Sequence, residues 1–148
     1  CDAMRMIAAA VLAFAFSGVA LAHEGVKNPA VKARMHVMGQ IGAATEVLGK
    51  RAKGETPFDA DVAQASAAEI ARLSGEIDAL FTAEETDPKS EALPKIWVSF
   101  SDFSAKSKSL QEAATEAANG VSSPDDLPSA LQGIGAACLS CHKVYRKP

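Results

Sequence analysis

Residues 127–145 read LPSALQGIGAACLSCHKVY, and this stretch decides the fold. Leu127, Leu131, Ile134, Cys138, Cys141 and Tyr145 follow one another in alternating steps of four and three. That spacing puts side chains on one face of an α-helix and lets the face interdigitate with a neighbouring helix. The two cysteines therefore continue an apolar seam. Asp125, Asp126 and Pro128 stand before it, and Lys143, Arg146 and Lys147 stand at its end. Acidic groups favour the positive pole of a helix dipole and basic groups the negative one, so these residues mark a helix from about 125 to Arg146.

The same alternation recurs upstream. Ile96, Phe100, Phe103, Ser107, Leu110, Ala114 and Ala117 form one stripe, in a segment predicted to begin after Asp87-Pro88, to reset at Pro94 and to end near Asn119-Gly120. Before it, Ile70, Leu73, Ile77 and Leu80 predict a helix from about Asp59 to Thr82. The first helix is expected over Pro29–Lys53, with Asn28 as its N-cap, Pro29 at the tolerated first position and Gly54 just past its end. Its seam is read as Val31, Met35, Met38, Ile41 and Leu48. Gly39, Gly42 and Gly49 are costly inside a helix and predict close packing by a neighbour or a flat ligand.

Alanine supplies much of the 48% hydrophobic content, aromatics only 5%, and no segment alternates with period two. Alanine is the best helix former and a poor filler of sheet interiors. The predicted fold class is all-α: an antiparallel up-down-up-down four-helix bundle joined by short connections.

Residues 1–22 read differently. Arg5 precedes an apolar run from Met6 to Phe16, and Ala20-Leu21-Ala22 offers a small-x-small cleavage site. That is the layout of a secretory signal peptide, with Met4 or Met6 as its start and Cys1–Ala3 a short extension before it. The apolar run falls short of the roughly 20 residues a membrane span needs. Cleavage after Ala22 would leave residues 23–148 as the folded domain in the periplasm, without stable membrane insertion. The net charge of -3, with no Lys/Arg cluster large enough to neutralise a phosphate track, argues against nucleic acid as a partner.

Cys138-Leu139-Ser140-Cys141-His142 carries the chemistry. Cysteines three apart, with a histidine directly after the second, lie on one helical face. Two thiols can add across the vinyl groups on one edge of a porphyrin while the adjacent imidazole reaches the iron. C-x-x-C-H is the signature of c-type haem attachment. Zinc would want a second ligand pair, and only His23 and His36 lie outside the motif. A redox dithiol belongs at a helix N-terminus after a strand, whereas this one falls in the last turns of a helix. A structural disulfide leaves His142 without a purpose. One covalent haem c, linked to Cys138 and Cys141, is the expectation.

The motif followed by Tyr145-Arg146, Arg34 four residues before Met38, Lys53-Gly54-Glu55 closing the first helix, and Ile96-Trp97 in the third together resemble the cytochrome c-prime family. These are four-helix-bundle periplasmic cytochromes, and the resemblance covers residues 23–148. It implies that His142 is the proximal iron ligand, that Arg34 lies near a haem propionate and that Arg146 sits beside the proximal histidine. It also implies that Met38 approaches the distal face. Most members carry an apolar distal residue and a five-coordinate iron that admits small gases. A minority place a methionine there and are six-coordinate and low-spin. Met38 puts this chain with the minority, because a thioether is a soft iron ligand that raises the reduction potential. Met35 is the understudy on the same side. His36 points about 200° away from Arg34 and Met38 and reads as a surface residue. Trp97, Phe100 and Phe103 read most simply as core.

The function expected is single-electron transfer with redox partner proteins through a His142/Met38-ligated haem. The alternative is a five-coordinate protein binding nitric oxide or carbon monoxide. An enzyme is not expected, since no further catalytic constellation is visible outside the motif. The resemblance also admits a homodimer through the first two helices.

Overall fold

The structure is a computed structural model that describes residues 25–148; the signal-peptide reading of residues 1–22 lies outside them. Among the described residues the α-helices occur in the order α1 (Pro29–Ala52), α2 (Ala60–Ser74), α3 (Ile77–Leu80), α4 (Lys95–Val98), α5 (Phe100–Gly120) and α6 (Leu127–Tyr145), the last preceded by a 3-10 turn at Pro124–Asp126. α1 packs on α2 and α6, α2 on α5, and α5 on α6, which closes the ring of a four-helix bundle. Among the described residues no strand forms; Ala92 and Arg146 make an isolated antiparallel bridge. No described helix is long and apolar enough to cross a membrane.

α1 starts as its sequence dictates. The Asn28 side chain accepts from the N–H groups of Ala30 and Val31 at 2.9 and 3.1 Å, satisfying donors that no helical carbonyl can reach. Gly54 takes φ +71° beyond the C-cap, a left-handed conformation that glycine adopts without a Cβ clash. The stripe read on α5 is buried at Phe103, Ser107, Leu110, Ala114 and Ala117. On α6, Leu127, Ile134 and Tyr145 are buried, while Cys138 and Cys141 are half-buried.

Three boundaries differ from the sequence reading. The second helix is interrupted at Gly75-Glu76, where Gly75 N–H closes on Ala71 O and Glu76 N–H on Leu73 O. The break redirects α3 so that the Asp78 carboxylate accepts from the Ser104 hydroxyl and, at 2.6 Å, from that of Ser107. The third helix begins at Lys95 rather than after Pro88, because Asp87 closes a turn with Ser90 N–H and its carboxylate accepts from the N–H groups of Lys27, Asn28 and Lys89. It is also broken at Ser99. In α1 the fully buried residues are Val31, Arg34, Val37, Ile41 and Leu48. Met35 and Met38 are only half-buried, so the seam rolls toward Arg34 and Val37 and leaves both methionines facing a cleft.

Candidate functional site

The cleft opens at the end of the bundle formed by the start of α1, the α3–α4 connection, the start of α5 and the end of α6. Two adjoining cavities occupy it. The larger, about 420 Å³, is lined by Arg34, Met35, Met38, Phe81, His142 and Arg146 among others. The smaller, about 260 Å³, is lined by Met38, Ile41, Phe103, Lys106, Cys138 and Cys141 among others. Met38, Phe103, Cys141 and His142 line both and so mark the boundary between them. Volumes of this size suit a cofactor, and the walls are chiefly apolar.

α6 delivers Cys138, Cys141 and His142 on its last two turns. Burial pushes the Cys141 thiol up to about 11, partly opposed by Lys106, and burial likewise raises Cys138. Such thiols are poor thiolates, the opposite of a reactive redox dithiol. Burial lowers the pKa of His142, helped by the positive charge of Arg146 and opposed by Glu91. The imidazole is therefore held neutral, with a lone pair available to a metal. Tyr145 locks the helix end in place: its hydroxyl donates to Asp102 at 2.6 Å and its ring meets Phe103 edge-on at 5.4 Å. Arg146 pairs with Glu91 through two bonds of 2.6 and 2.5 Å.

The remaining predicted residues fall as follows. Arg34 lines the larger cavity but spends three donors on backbone: Nε to Leu80 O at 2.8 Å, and its two terminal nitrogens to Glu85 O at 2.8 Å and Ala83 O at 2.6 Å. Its guanidinium also stacks 4.5 Å from the Phe81 ring and 5.3 Å from that of Trp97. Met35 lines only the larger cavity, and His36 is exposed and lines neither. Trp97 stands behind Phe81, donating from Nε1 to Phe81 O at 2.7 Å. Gly39 and Gly42 line the two cavities, with no protein atom within 4 Å of where a Cβ would stand. The expectation that a neighbouring helix packs on them is therefore corrected. At these two the flat-ligand alternative remains consistent with their place on the cavity walls; Gly49 lines neither cavity.

Sequence reading passed over Phe81, Glu91 and Lys106. None belongs to a motif, and each reaches the site through a connection or a helix face that has no local signature.

Among the described residues no group of three or more His, Cys, Asp or Glu side chains is placed to hold a metal ion, which leaves no closed zinc set. Two thiols and a neutral imidazole at the rim of an apolar, cofactor-sized cleft in a helical bundle define a c-type haem protein. The comparisons narrow the class. The model of the Cytochrome C' family matches residues 29–146, and the chain belongs to that family. Cytochrome c-556 of Agrobacterium tumefaciens (strain apple 185) is 36% identical over 115 residues, covering 77% of this chain and 91% of the relative. Cytochrome c' of Rhodopseudomonas palustris is 34% identical over 144 residues, covering 97% and 96%. A solved structure of cytochrome c' from Rhodopseudomonas palustris superposes with a TM-score of 0.76 at 33% identity, covering 82% of this chain and 98% of that one. The cofactor is haem c, joined through thioether links to Cys138 and Cys141.

Proposed function

We propose that the chain is a periplasmic carrier of single electrons whose haem is held between His142 and Met38. The position of Met38 carries this reading: on α1, opposite the motif, it lines both cavities, as His142 does. The haem supplies an Fe(III)/Fe(II) couple. The chain's own residues do the rest. His142 offers a neutral imidazole kept so by burial, and Met38 offers a thioether whose softness favours ferrous iron and raises the potential. Were His142 and Met38 both to hold the iron, the group would supply one-electron chemistry with little rearrangement of the chain, and these two side chains would leave no open place for a substrate. Arg34 retains two of its five N–H groups for a haem carboxylate after its three carbonyl bonds. Arg146, steered by Glu91, places a positive charge beside His142. The leader-like segment at residues 1–22 supports export, and the partners are redox proteins of that compartment.

The relative named cytochrome c' supports a second reading, in which Met38 does not bind and small gases do. Absorption spectra of the holoprotein, with and without carbon monoxide, separate the two. A sharp reduced α-band, an oxidised methionine-to-iron charge-transfer band and indifference to carbon monoxide are expected. A broad high-spin spectrum that shifts with carbon monoxide would make the protein a gas binder.

A further inference from the structure

The α3–α4 connection, residues 81–94, contains no helix and is long for a link between bundle helices, which usually takes roughly 2–8 residues. It forms one wall of the larger cavity through Phe81, Ser90, Glu91 and Ala92. Three anchors hold it. At its far end, Leu93 N–H donates to Tyr145 O at 2.9 Å and Lys147 N–H to Glu91 O at 2.8 Å. In its middle, the Asp87 carboxylate accepts from the N–H groups of Lys27, Asn28 and Lys89 at 2.8, 3.1 and 2.9 Å. At its near end Arg34 holds it, beside two single bonds from other side chains: Asn28 Nδ2 donates to Glu85 Oε2 at 2.7 Å and Trp97 Nε1 to Phe81 O at 2.7 Å.

Arg34 is 3% exposed, and its guanidinium bonds three backbone carbonyls while lying over two aromatic rings. A buried cation is expensive unless its donors are used, and here they are used as a bracket: one planar fork ties Leu80, Ala83 and Glu85 to α1. Lysine could not reproduce the fork. Met38 lies one helical turn further along the same helix, so Arg34 and Met38 are neighbours on one face. The side chain that ties α1 to the connection thus stands one turn from the Met38 thioether over the cleft.

From this we infer that Arg34 is a positioning residue for the Met38 ligand, acting by pinning the 81–94 connection onto α1. The inference rests on the proposed ligation by Met38. Without the bracket the connection loosens, α1 shifts against it, and the balance moves from methionine-bound toward methionine-free iron.

The test compares holoprotein carrying R34M, which keeps an apolar stem and removes every donor, with wild type. Carbon monoxide affinity of the reduced protein and backbone hydrogen exchange of residues 82–86 are both measured. Loss of bonds from a charged donor predicts carbon monoxide affinity about tenfold higher or more, together with faster exchange in 82–86. R34K, which keeps the cation, should fall between and serves if R34M folds poorly. I70A, a core truncation in α2 away from the cleft, should lower the melting temperature and leave carbon monoxide affinity as in wild type. A role confined to a haem carboxylate would leave exchange at 82–86 unchanged and overturns the inference, as does faster exchange with unaltered affinity. Wild type lacking the methionine-to-iron band overturns the ligation reading and the inference with it. The band present in wild type and affinity unmoved in both Arg34 variants overturns the inference alone.

Discussion

The two ends of the bundle are built on different principles. At the end where α1 and α5 finish and α2 and α6 begin, Leu48, Ala63, Ala67, Ala114, Leu127 and Ile134 are entirely buried. Small alanines let the helices approach and a few branched residues fill the space between. At the cleft end the buried set includes Arg34, Asp87 and Ser90 beside Phe81, Phe103 and Tyr145. Order there comes from hydrogen bonds spanning 46 to 60 positions of chain, such as Arg34 to Leu80 O and Lys27 N–H to Asp87. One end is held by repeated local pattern, the other by individual long-range partners, and the C-x-x-C-H motif sits at the second.

Truncation of Ile134, wholly buried at the packed end, sharpens the contrast most. I134A should destabilise the holoprotein by about 2–4 kcal/mol in thermal or denaturant unfolding while leaving the haem spectrum unchanged. A spectral change would show that the two ends are not separable.

A smaller effect is expected at Asp126, where α6 begins. Its carboxylate accepts from the backbone N–H groups of Ser122 and Ser123 at 3.0 and 2.8 Å and from both hydroxyls. These bonds hold its pKa down to about 2 against an ordinary 3.8. Because the folded-state pKa is depressed, the contribution is complete above about pH 4 and fades as pH falls toward 2. The melting temperature of D126A should lie below that of wild type at neutral pH, and the gap should close across that window. A gap that stays constant with pH would mean the carboxylate's charge contributes nothing.

Least affected should be the Arg146–Glu91 pair, whose side chains are 52% and 57% exposed. Here E91Q is expected to alter unfolding free energy by about 0.5 kcal/mol or less, since water and salt screen exposed pairs. A loss of several times that would mean the Arg146–Glu91 ion pair, beside the far anchor of the 81–94 connection, matters to global stability.

This division also explains how much could be read from the chain itself. Four helical segments, the Asn28 cap and the Cys138–His142 motif are local patterns, and the bundle followed from them. The helix over residues 127–145 was legible, because seam, helix poles and motif all lie within it, although Ala137 is buried beside a half-buried Cys138. The break at Gly75-Glu76 was not, because Ile77 and Leu80 keep the helical spacing and what redirects them is Asp78 reaching Ser104 and Ser107 on α5. Arg34 was singled out by resemblance, yet its burial among three carbonyls has no signature in the residues around it: their partners stand in a connection with no periodicity. Met38 was read as part of a core seam and as a ligand; it is half-buried against the core and lines both cavity walls, the place the proposed ligation requires.

Ligation by Met38 is the central claim, and the most direct measurement is a methyl NMR spectrum of the reduced holoprotein labelled at methionine methyl carbons. A methionine bound to haem iron lies against the porphyrin, whose ring current drives its methyl signal far upfield. The account predicts one such three-proton resonance in wild type, present in M35L and absent in M38L. Its persistence in M38L, or its absence from wild type, would contradict the account.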